Sequence, residues 1–473
     1  MGRDASYGDS VLFVQIDLNR VNFHKEPKEM GKLFGTDGIR GRAHEYPVTA
    51  LMAARLGAAV VEVMGGGRPV KVLIGRDTRE SGADLEKGLE AGLLGAGAEV
   101  VKLGVVPTPA VAVLVKHLDA TAAVMITASH NPFEDNGMKV FGSDGFKLPD
   151  GMEGKIEGFL LAEDVPVKSA EGRVSSDFPE GIETYVERAK ASIDGMSLAG
   201  LKLVLDAGNG SGFKVAPRIF RELGAEVIEM AVSPDGRNIN EGCGALHADG
   251  AGRLAKESGA DLGISLDGDA DRVIFTTAAG DVVSGDRVLA LCALGLKQAG
   301  KLPGDTIVAT VMSNLGLDEA MRKEGIRVIR AGVGDRHVLE RMRADGIAFG
   351  GENSGHLIFA DYATTGDGIL SALQICRMML RTGKSLAELA SIMDEYPSEL
   401  RNLHVPSKPP LDGLPKLQAL IAEADSEFGD AGRQLIRYSG TENKIRILVE
   451  HKHASEVGKW VGKFQEVIRE EIG

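Results

Sequence analysis

Cysteine is scarce in this 473-residue chain, and its three copies, Cys243, Cys292 and Cys376, stand far apart. They form no CxxC pair and no ligand cluster, so a disulfide framework and a thiolate metal site are excluded and buried reduced thiols are expected. Long hydrophobic runs are missing as well. No apolar stretch reaches bilayer-spanning length. Asp4, Asp9 and Asp17 break up the N-terminal segment where a secretory signal would need an apolar run, so the chain reads as cytoplasmic. Basic charge is also short: 54 Lys and Arg against 68 Asp and Glu leave a net charge of −14. That balance argues against nucleic acid or a membrane surface as partner. An anionic substrate would need basic residues gathered locally. No Walker A pattern occurs, and Gly208-Asn-Gly-Ser-Gly212 has Phe213 where a dinucleotide fingerprint needs a third glycine, which leaves a tight turn.

What the chain does have is ordinary globular composition, 43% hydrophobic and 26% charged, over a length that calls for roughly three or four domains. Residues 1–29 show no periodicity and read as an N-terminal extension, either disordered or the product of an upstream start codon. From Met30 onward short apolar runs alternate with helical stretches. Strands are expected at Lys71–Gly75, Ala122–Thr127, Leu201–Leu205, Asp261–Leu266, Thr306–Thr310 and Ile347–Gly350, with a helix over Ser81–Gly97. Val-, Ile- and Leu-rich strands separated by helices indicate βαβ units in mostly parallel sheets. Three strand–polar loop–helix blocks, IGRDTRESG, LDAGNGSG and TVMSNLG, form a weak internal repeat. A Pro-rich stretch at Pro406, Pro409 and Pro410 then reads as a linker before helix, strand Ile445–Glu450 and a closing helix with the only Trp, Trp460. The expected architecture is α/β: an extension (1–29), three similar α/β domains with mixed, mostly parallel sheets (30–181, 182–285, 286–398), and a smaller C-terminal α+β domain (399–473).

Four motifs can carry chemistry. Thr127-Ala-Ser-His-Asn-Pro132 places Ser129 at a strand end ahead of a Pro-forced turn, exposed and held on a rigid element as a nucleophile or phosphate carrier requires; alternatively Ser129 and Asn131 only shape the turn. Lys139 nearby offers positive charge or a proton-transfer group. Asp267-Gly-Asp-Ala-Asp-Arg272 sets carboxylates at i, i+2 and i+4, a spacing that lets all three face one hard cation such as Mg²⁺. An EF-hand would need Gly and an acid where Arg272 and Ala278 stand, and a solvated Asp-rich turn fits poorly between two apolar strands. Gly350-Gly-Glu-Asn-Ser-Gly-His356 offers Glu352, Asn353 and Ser354 to sugar hydroxyls and His356 as an acid or base. Arg437-Tyr-Ser-Gly-Thr-Glu442, with Arg446 beyond, combines a bidentate cation, hydroxyls and turn amides into a phosphate cradle, although a surface hairpin would look similar.

In this order the motifs resemble the α-D-phosphohexomutase superfamily from Met30 to near the C-terminus. FGTDGIRG (Phe34–Gly41), Val333-Gly-Asp-Arg336 and Thr364-Thr-Gly-Asp-Gly368 point within it to the bacterial phosphoglucosamine mutases. The resemblance implies four domains around a central cleft and interconversion of glucosamine 6-phosphate and glucosamine 1-phosphate. It implies a carrier phosphate on Ser129 and a hexose 1,6-bisphosphate as intermediate and activator. Mg²⁺ would be held by Asp267, Asp269, Asp271 and the seryl phosphate. Arg40, His130, Lys139, Arg272 and His356 would serve proton transfer and charge stabilisation. Glu352, Asn353 and Ser354 would meet the sugar, and Arg437, Ser439, Gly440 and Thr441 the non-transferring phosphate. Asn353 departs from the Gln usual in that family and Asn443 from a frequent Pro. The expected partner is a small phosphosugar, with a homodimer left open as the assembly. The competing readings are a phosphoglucomutase/phosphomannomutase, a Mg²⁺-dependent sugar phosphatase, and a non-catalytic sugar-phosphate-binding protein.

Overall fold

A computed structural model of the chain describes residues 33–35, 37–162, 174–439 and 443–473, so the expectation for residues 1–29 lies outside the described residues. Four sheets follow one another along the chain. The first has seven strands, and its central ones are Glu99–Val105, Lys71–Arg76, Ala122–Ile126 and Asp135–Gly142. The second repeats that arrangement with Glu226–Met230, Lys202–Asp206, Leu262–Leu266 and Val273–Thr277, and the third with Arg327–Ala331, Thr306–Thr310, Phe349–Gly351 and Leu357–Phe359.

In each sheet the first strand of the repeat lies between the second and the third, all three parallel, and a fourth strand pairs antiparallel with the third. The weak sequence repeat is thus a repeat of topology. The inner parallel strands are buried on both faces because crossover helices cover both sides: Ala122–Ile126, Leu262–Leu266 and Thr306–Thr310 are buried at every position. Their apolar side chains run in one large cluster through all three sheets, including Met125, Leu266 and Ala309. A second cluster underlies the first sheet, including Ile74 and Leu89.

The placement of the functional loops follows from this order. Loops leaving the carboxyl ends of adjacent first and third strands diverge, which opens a crevice for ligands at that edge. The Ser129 loop, the Asp267–Asp271 loop and the Glu352–His356 loop all join the third strand of a repeat to its fourth. The three blocks noted in the sequence leave the first strand of each repeat, beside them.

The C-terminal unit is different in kind. Its sheet has three antiparallel strands in the order Ser398–His404, Lys444–His451, Gly432–Tyr438. Helices Pro415–Phe428 and Ala454–Ile472 cover one face, around a fully buried Trp460 set edge-on to Phe428 at 5.1 Å. The Pro-rich stretch is not the linker. Strand Ser398–His404 precedes it and pairs along its whole length with Lys444–Glu450, so Pro406–Pro410 is a connection inside the unit. A mostly exposed strand with Glu399, Arg401 and Asn402 carries too little apolar signal to have been read as one. All three cysteines are buried and free. Among the described residues no helix is long and apolar enough to cross a membrane.

Candidate active site

Ser129 is not exposed, as its strand-end position suggested, but fully buried. The Asp loop of the second sheet closes over it, and Ser129 Oγ donates to Asp267 Oδ2 at 2.5 Å. Its backbone is left-handed, with φ of +52°, a conformation costly for a non-glycine residue unless its surroundings hold it. Those surroundings are specific. Thr127 Oγ1 accepts from the Ser129 amide at 2.9 Å, and Asn240 Nδ2 donates to the Ser129 carbonyl at 2.9 Å. Arg79, fully buried, donates to four carbonyls of the loop, those of Ser129, Asn131, Pro132 and Asp135. Asp77 neutralises it from 2.9 Å and also accepts from Thr127 Oγ1 at 2.7 Å. A guanidinium with one carboxylate partner and four carbonyl acceptors is fully used, which is what makes a buried charge tolerable.

The Asp267–Asp271 loop touches the Ser129 loop so closely that a Cβ at Gly268 would lie 2.6 Å from the Ser129 carbonyl oxygen. Asp267, Asp269 and Asp271 are all buried, and one oxygen of each lies within 4.8 Å of the others. Burial, and then repulsion from Asp271 and Asp269, push the Asp267 carboxyl well above the usual range. Asp269 Oδ2 is occupied by Thr108 Oγ1 at 2.6 Å and Lys139 Nζ at 2.8 Å. Asp269 Oδ1 and Asp271 Oδ1, by contrast, are buried without a hydrogen-bond partner. Orphaned carboxylate oxygens in a mutually repelling trio are what an oxygen-ligated divalent cation satisfies, so these residues fit a metal.

Around the trio stands a chain of alternating charges. Lys139 Nζ also lies 3.2 Å from Asp271 Oδ2 and 3.2 Å from Asp37 Oδ2. Burial alone would lower its pKa, but Asp269, Asp271 and Asp37 outweigh it and hold the ammonium charged. A charged ammonium at this position can supply positive charge to the site. Arg40 pairs with Asp37, and Lys147 bridges Asp37 to Asp335. His356 sits 3.6 Å from Asp271 Oδ1 and 3.5 Å from Asp335 Oδ2, and its Nε2 accepts from the Gly366 amide at 3.0 Å. His130 Nδ1 is 3.1 Å from Arg272 Nη1 and 3.4 Å from Ser129 Oγ. Burial, then Arg272 and Arg40, bring its pKa down to about 4, so the imidazole is neutral near pH 7. Because an arginine can only donate, Nδ1 is the accepting nitrogen.

Glu352 Oε1 accepts from the Gly334 amide at 3.0 Å, Asn353 is exposed, and Ser354 is half-buried. Arg437 stands on the separate C-terminal sheet and Ser439 just past the end of its strand, while Gly440 and Thr441 lie outside the described residues. Arg437 lies directly opposite Arg446. Burial, then Arg446, lowers its pKa. Two arginines facing each other across a ladder repel, which an anion between them would relieve.

Sequence reasoning missed Asp77, Arg79, Thr108, Asn240, Lys147, Asp37 and Asp335 as parts of the site. Asp77 and Arg79 were inside the IGRDTRESG repeat block. Asp37 and Asp335 were inside FGTDGIRG and Val333–Arg336, segments read only for what they resemble.

Comparison with known families matches four successive segments. Residues 31–165, 183–280 and 284–396 match the phosphoglucomutase/phosphomannomutase alpha/beta/alpha domains I, II and III, and 400–467 the C-terminal domain of the same family. The chain is 46% identical over 450 residues to the phosphoglucosamine mutase of Geotalea daltonii, covering 94% of this chain and 99% of that protein. It is 46% identical to that of Sorangium cellulosum, with 93% of each covered. Among solved structures, a phosphoglucomutase/phosphomannomutase family protein from Burkholderia thailandensis superposes with a TM-score of 0.78 at 25% identity, covering 93% and 97% of the two chains. The N-acetylphosphoglucosamine mutase of Aspergillus fumigatus shares the fold, with a TM-score of 0.65 at 19% identity over 94% and 98%. The repeated α/β sheets, the serine and aspartate loops they bring together, and these full-length matches place the chain in the phosphoglucomutase/phosphomannomutase family, among the phosphoglucosamine mutases, as an isomerase that works by intramolecular phosphoryl transfer.

Proposed function

We propose that this enzyme interconverts glucosamine 6-phosphate and glucosamine 1-phosphate, with Ser129 as the phosphate carrier and a hexose 1,6-bisphosphate as intermediate and activator. The observation that carries the reading is Ser129 Oγ, fully buried and 2.5 Å from a carboxylate of the Asp trio. Asp267, Asp269, Asp271 and the seryl phosphate would hold Mg²⁺, which when bound offsets charge on the transferring phosphoryl oxygens.

In the forward half-reaction the bond from phosphorus to Ser129 Oγ breaks and a bond to the substrate hydroxyl oxygen forms. The proton of that hydroxyl passes to His130 Nδ1, which lies 3.4 Å from Ser129 Oγ and returns it to the departing serine oxygen, so that Ser129 ends as the free hydroxyl. Lys139, Arg272 and Arg40 supply positive charge around the group in transit, and His356 borders it beside Asp271. Glu352, Asn353 and Ser354 meet the sugar. Arg437, with Ser439, Gly440 and Thr441, grips the second phosphate. The intermediate then turns over and returns its other phosphate to Ser129. Retaining a second phosphate distinguishes a mutase from a phosphatase.

The test is a mutase assay on glucosamine, glucose and mannose 6-phosphates with a bisphosphate activator, together with intact-mass analysis. Glucosamine 6-phosphate should be the preferred substrate. Part of the wild-type population should carry one phosphate that Ser129→Ala lacks, along with nearly all activity. A Ser129→Ala enzyme with full turnover would overturn the reading.

A further inference from the structure

The loops that leave the first strand of each repeat do comparable work in the first two sheets. In the first, Arg79 seats the Ser129 loop. In the second, the Ser211 amide donates to the Gly268 carbonyl at 2.8 Å and so seats the Asp loop. In the third, the corresponding TVMSNLG loop (Thr310–Gly316) carries something else, the C-terminal unit. Arg433 Nη2 donates to the Ser313 carbonyl at 2.6 Å, and Glu450 Oε2 accepts from the Leu315 amide at 3.0 Å. Arg433 and Glu450 face each other in the ladder and are joined at 2.7 Å, with Glu450 only 2% exposed. The same short segment holds the chain entering the C-terminal unit: Asn314 Nδ2 donates to the Tyr396 carbonyl at 3.0 Å and Asn314 Oδ1 accepts from the Tyr396 amide at 2.9 Å. It does so without room to spare, since a Cβ at Gly316 would lie 2.1 Å from the Asp394 carbonyl oxygen.

The two strands that reach this seat also carry the arginines of the phosphate cradle. Side chains alternate along a strand, so positions four apart share a face. Arg433 and Arg437 lie on one face of Gly432–Tyr438, and Glu450 and Arg446 on the same face of Lys444–His451. The opposite face, with Ile436, Ile445, Ile447 and Val449, packs on the unit's own helices. One rigid ladder thus has a neutral, fully bonded charge pair at its fixed end. About 13 Å away, at roughly 3.3 Å per residue, are two arginines without an opposing acid in the ladder.

We propose that Arg433 and Glu450 are positioning residues for substrate binding: they seat the hairpin on the Ser313–Leu315 segment, and that seat sets where Arg437 and Arg446 meet the non-transferring phosphate. The inference rests on the reading of Arg437 as a phosphate ligand. A change at the seat tilts the whole ladder, and displacements of about 1 Å at a positioned group cost on the order of a hundredfold.

Glu450→Gln keeps the shape and removes the charge, and Arg433→Lys keeps the charge and removes the fork that reaches the Ser313 carbonyl. Both should raise the KM for glucosamine 6-phosphate about tenfold or more with kcat changed by less than about threefold. In a double-mutant cycle with Arg437→Ala the effect of Glu450→Gln should largely vanish, because both act on one phosphate contact. A purely structural pair would lower the melting temperature and leave KM alone, and would add independently to Arg437→Ala; either result overturns the proposal. Titrating glucosamine 6-phosphate into Ser129→Ala protein, with and without Glu450→Gln, separates this from the functional reading. Absence of turnover in wild type overturns the latter, and unchanged affinity on Glu450→Gln overturns the positioning role.

Discussion

The Ser129 centre and the Arg437 face differ in how their charge is balanced. Around Ser129 every cation has a carboxylate within reach: Arg79 has Asp77, Lys139 has Asp269, Asp271 and Asp37, and Lys147 has Asp37 and Asp335. On the C-terminal ladder Arg437 is set opposite another arginine. In the first region the charges offset one another, and the buried polar atoms left without a hydrogen bond are the carboxylate oxygens that fit a metal together with Arg40 Nε and Arg272 Nε. The second leaves two like charges facing each other, which fits the proposed phosphate contact. Preorganised charge favours the step in which bonds change, whereas an unpaired cradle favours binding.

Substitutions should therefore separate the two regions by what they damage. The largest effect is expected at Arg79→Met, which leaves Asp77 buried without its ion pair and removes donors from four loop carbonyls. Losing one partner of a buried pair costs about 3–5 kcal/mol, readable as a shift of the urea midpoint at unchanged slope. The double variant Asp77→Leu/Arg79→Met should recover part of it. A loss below about 1 kcal/mol for Arg79→Met would mean that the clamp does not hold the loop. Next comes the metal site. Chelation should abolish turnover and Mg²⁺ restore it, and Asp269→Asn should lower kcat by about 10²–10³, the range for removing one group that stabilises developing charge. Chelated enzyme that keeps its activity would refute the assignment.

Arg437→Ala belongs to the other region and should behave oppositely. Hydrogen bonds to a charged group contribute about 1.5–3 kcal/mol, so KM should rise roughly tenfold to a hundredfold with kcat little altered. The melting temperature should hold or rise, because a like-charge cross-strand pair is relieved. A clear drop in stability with unchanged KM would place Arg437 in the fold and not in the cradle.

How legible these regions were in the sequence follows the range of the interactions. The strand at Thr306–Thr310 and the serine, aspartate and sugar loops stood out because strand periodicity and i, i+2, i+4 spacing are local signals. Arg79 was silent because its meaning lies in carbonyls about 50 residues away, and Lys147 because it joins Asp37 to Asp335. Ser129 was expected at the surface because sequence shows a strand end but not the Asp loop of another sheet lying over it. The Pro-rich stretch misled for a related reason: a linker and an internal connection have the same composition, and only the pairing of Ser398–His404 with Lys444–His451 tells them apart.

The smallest expected effect concerns Asn353, which tests substrate choice and not the reaction. Its neighbours are fixed: Glu352 accepts from the Gly334 amide, and a Cβ at Gly285 would lie 2.2 Å from the Asn353 carbonyl oxygen, so the backbone is pinned between the two. The residue is exposed, open to meet a ring substituent. A polar group that bonds a substrate amine or hydroxyl discriminates better than one that reads size alone. One neutral hydrogen bond contributes about 0.5–1.5 kcal/mol, so Asn353→Met should narrow the preference for glucosamine 6-phosphate over glucose 6-phosphate by about two- to tenfold. Because Asn353 is exposed, melting temperature and activity toward glucose 6-phosphate should stay close to wild type. The quantity to compare is kcat/KM for the two sugars in both proteins. An unchanged ratio would move the discrimination to Glu352 or Ser354, and equal losses on both sugars would make Asn353 a general contact and not a selective one.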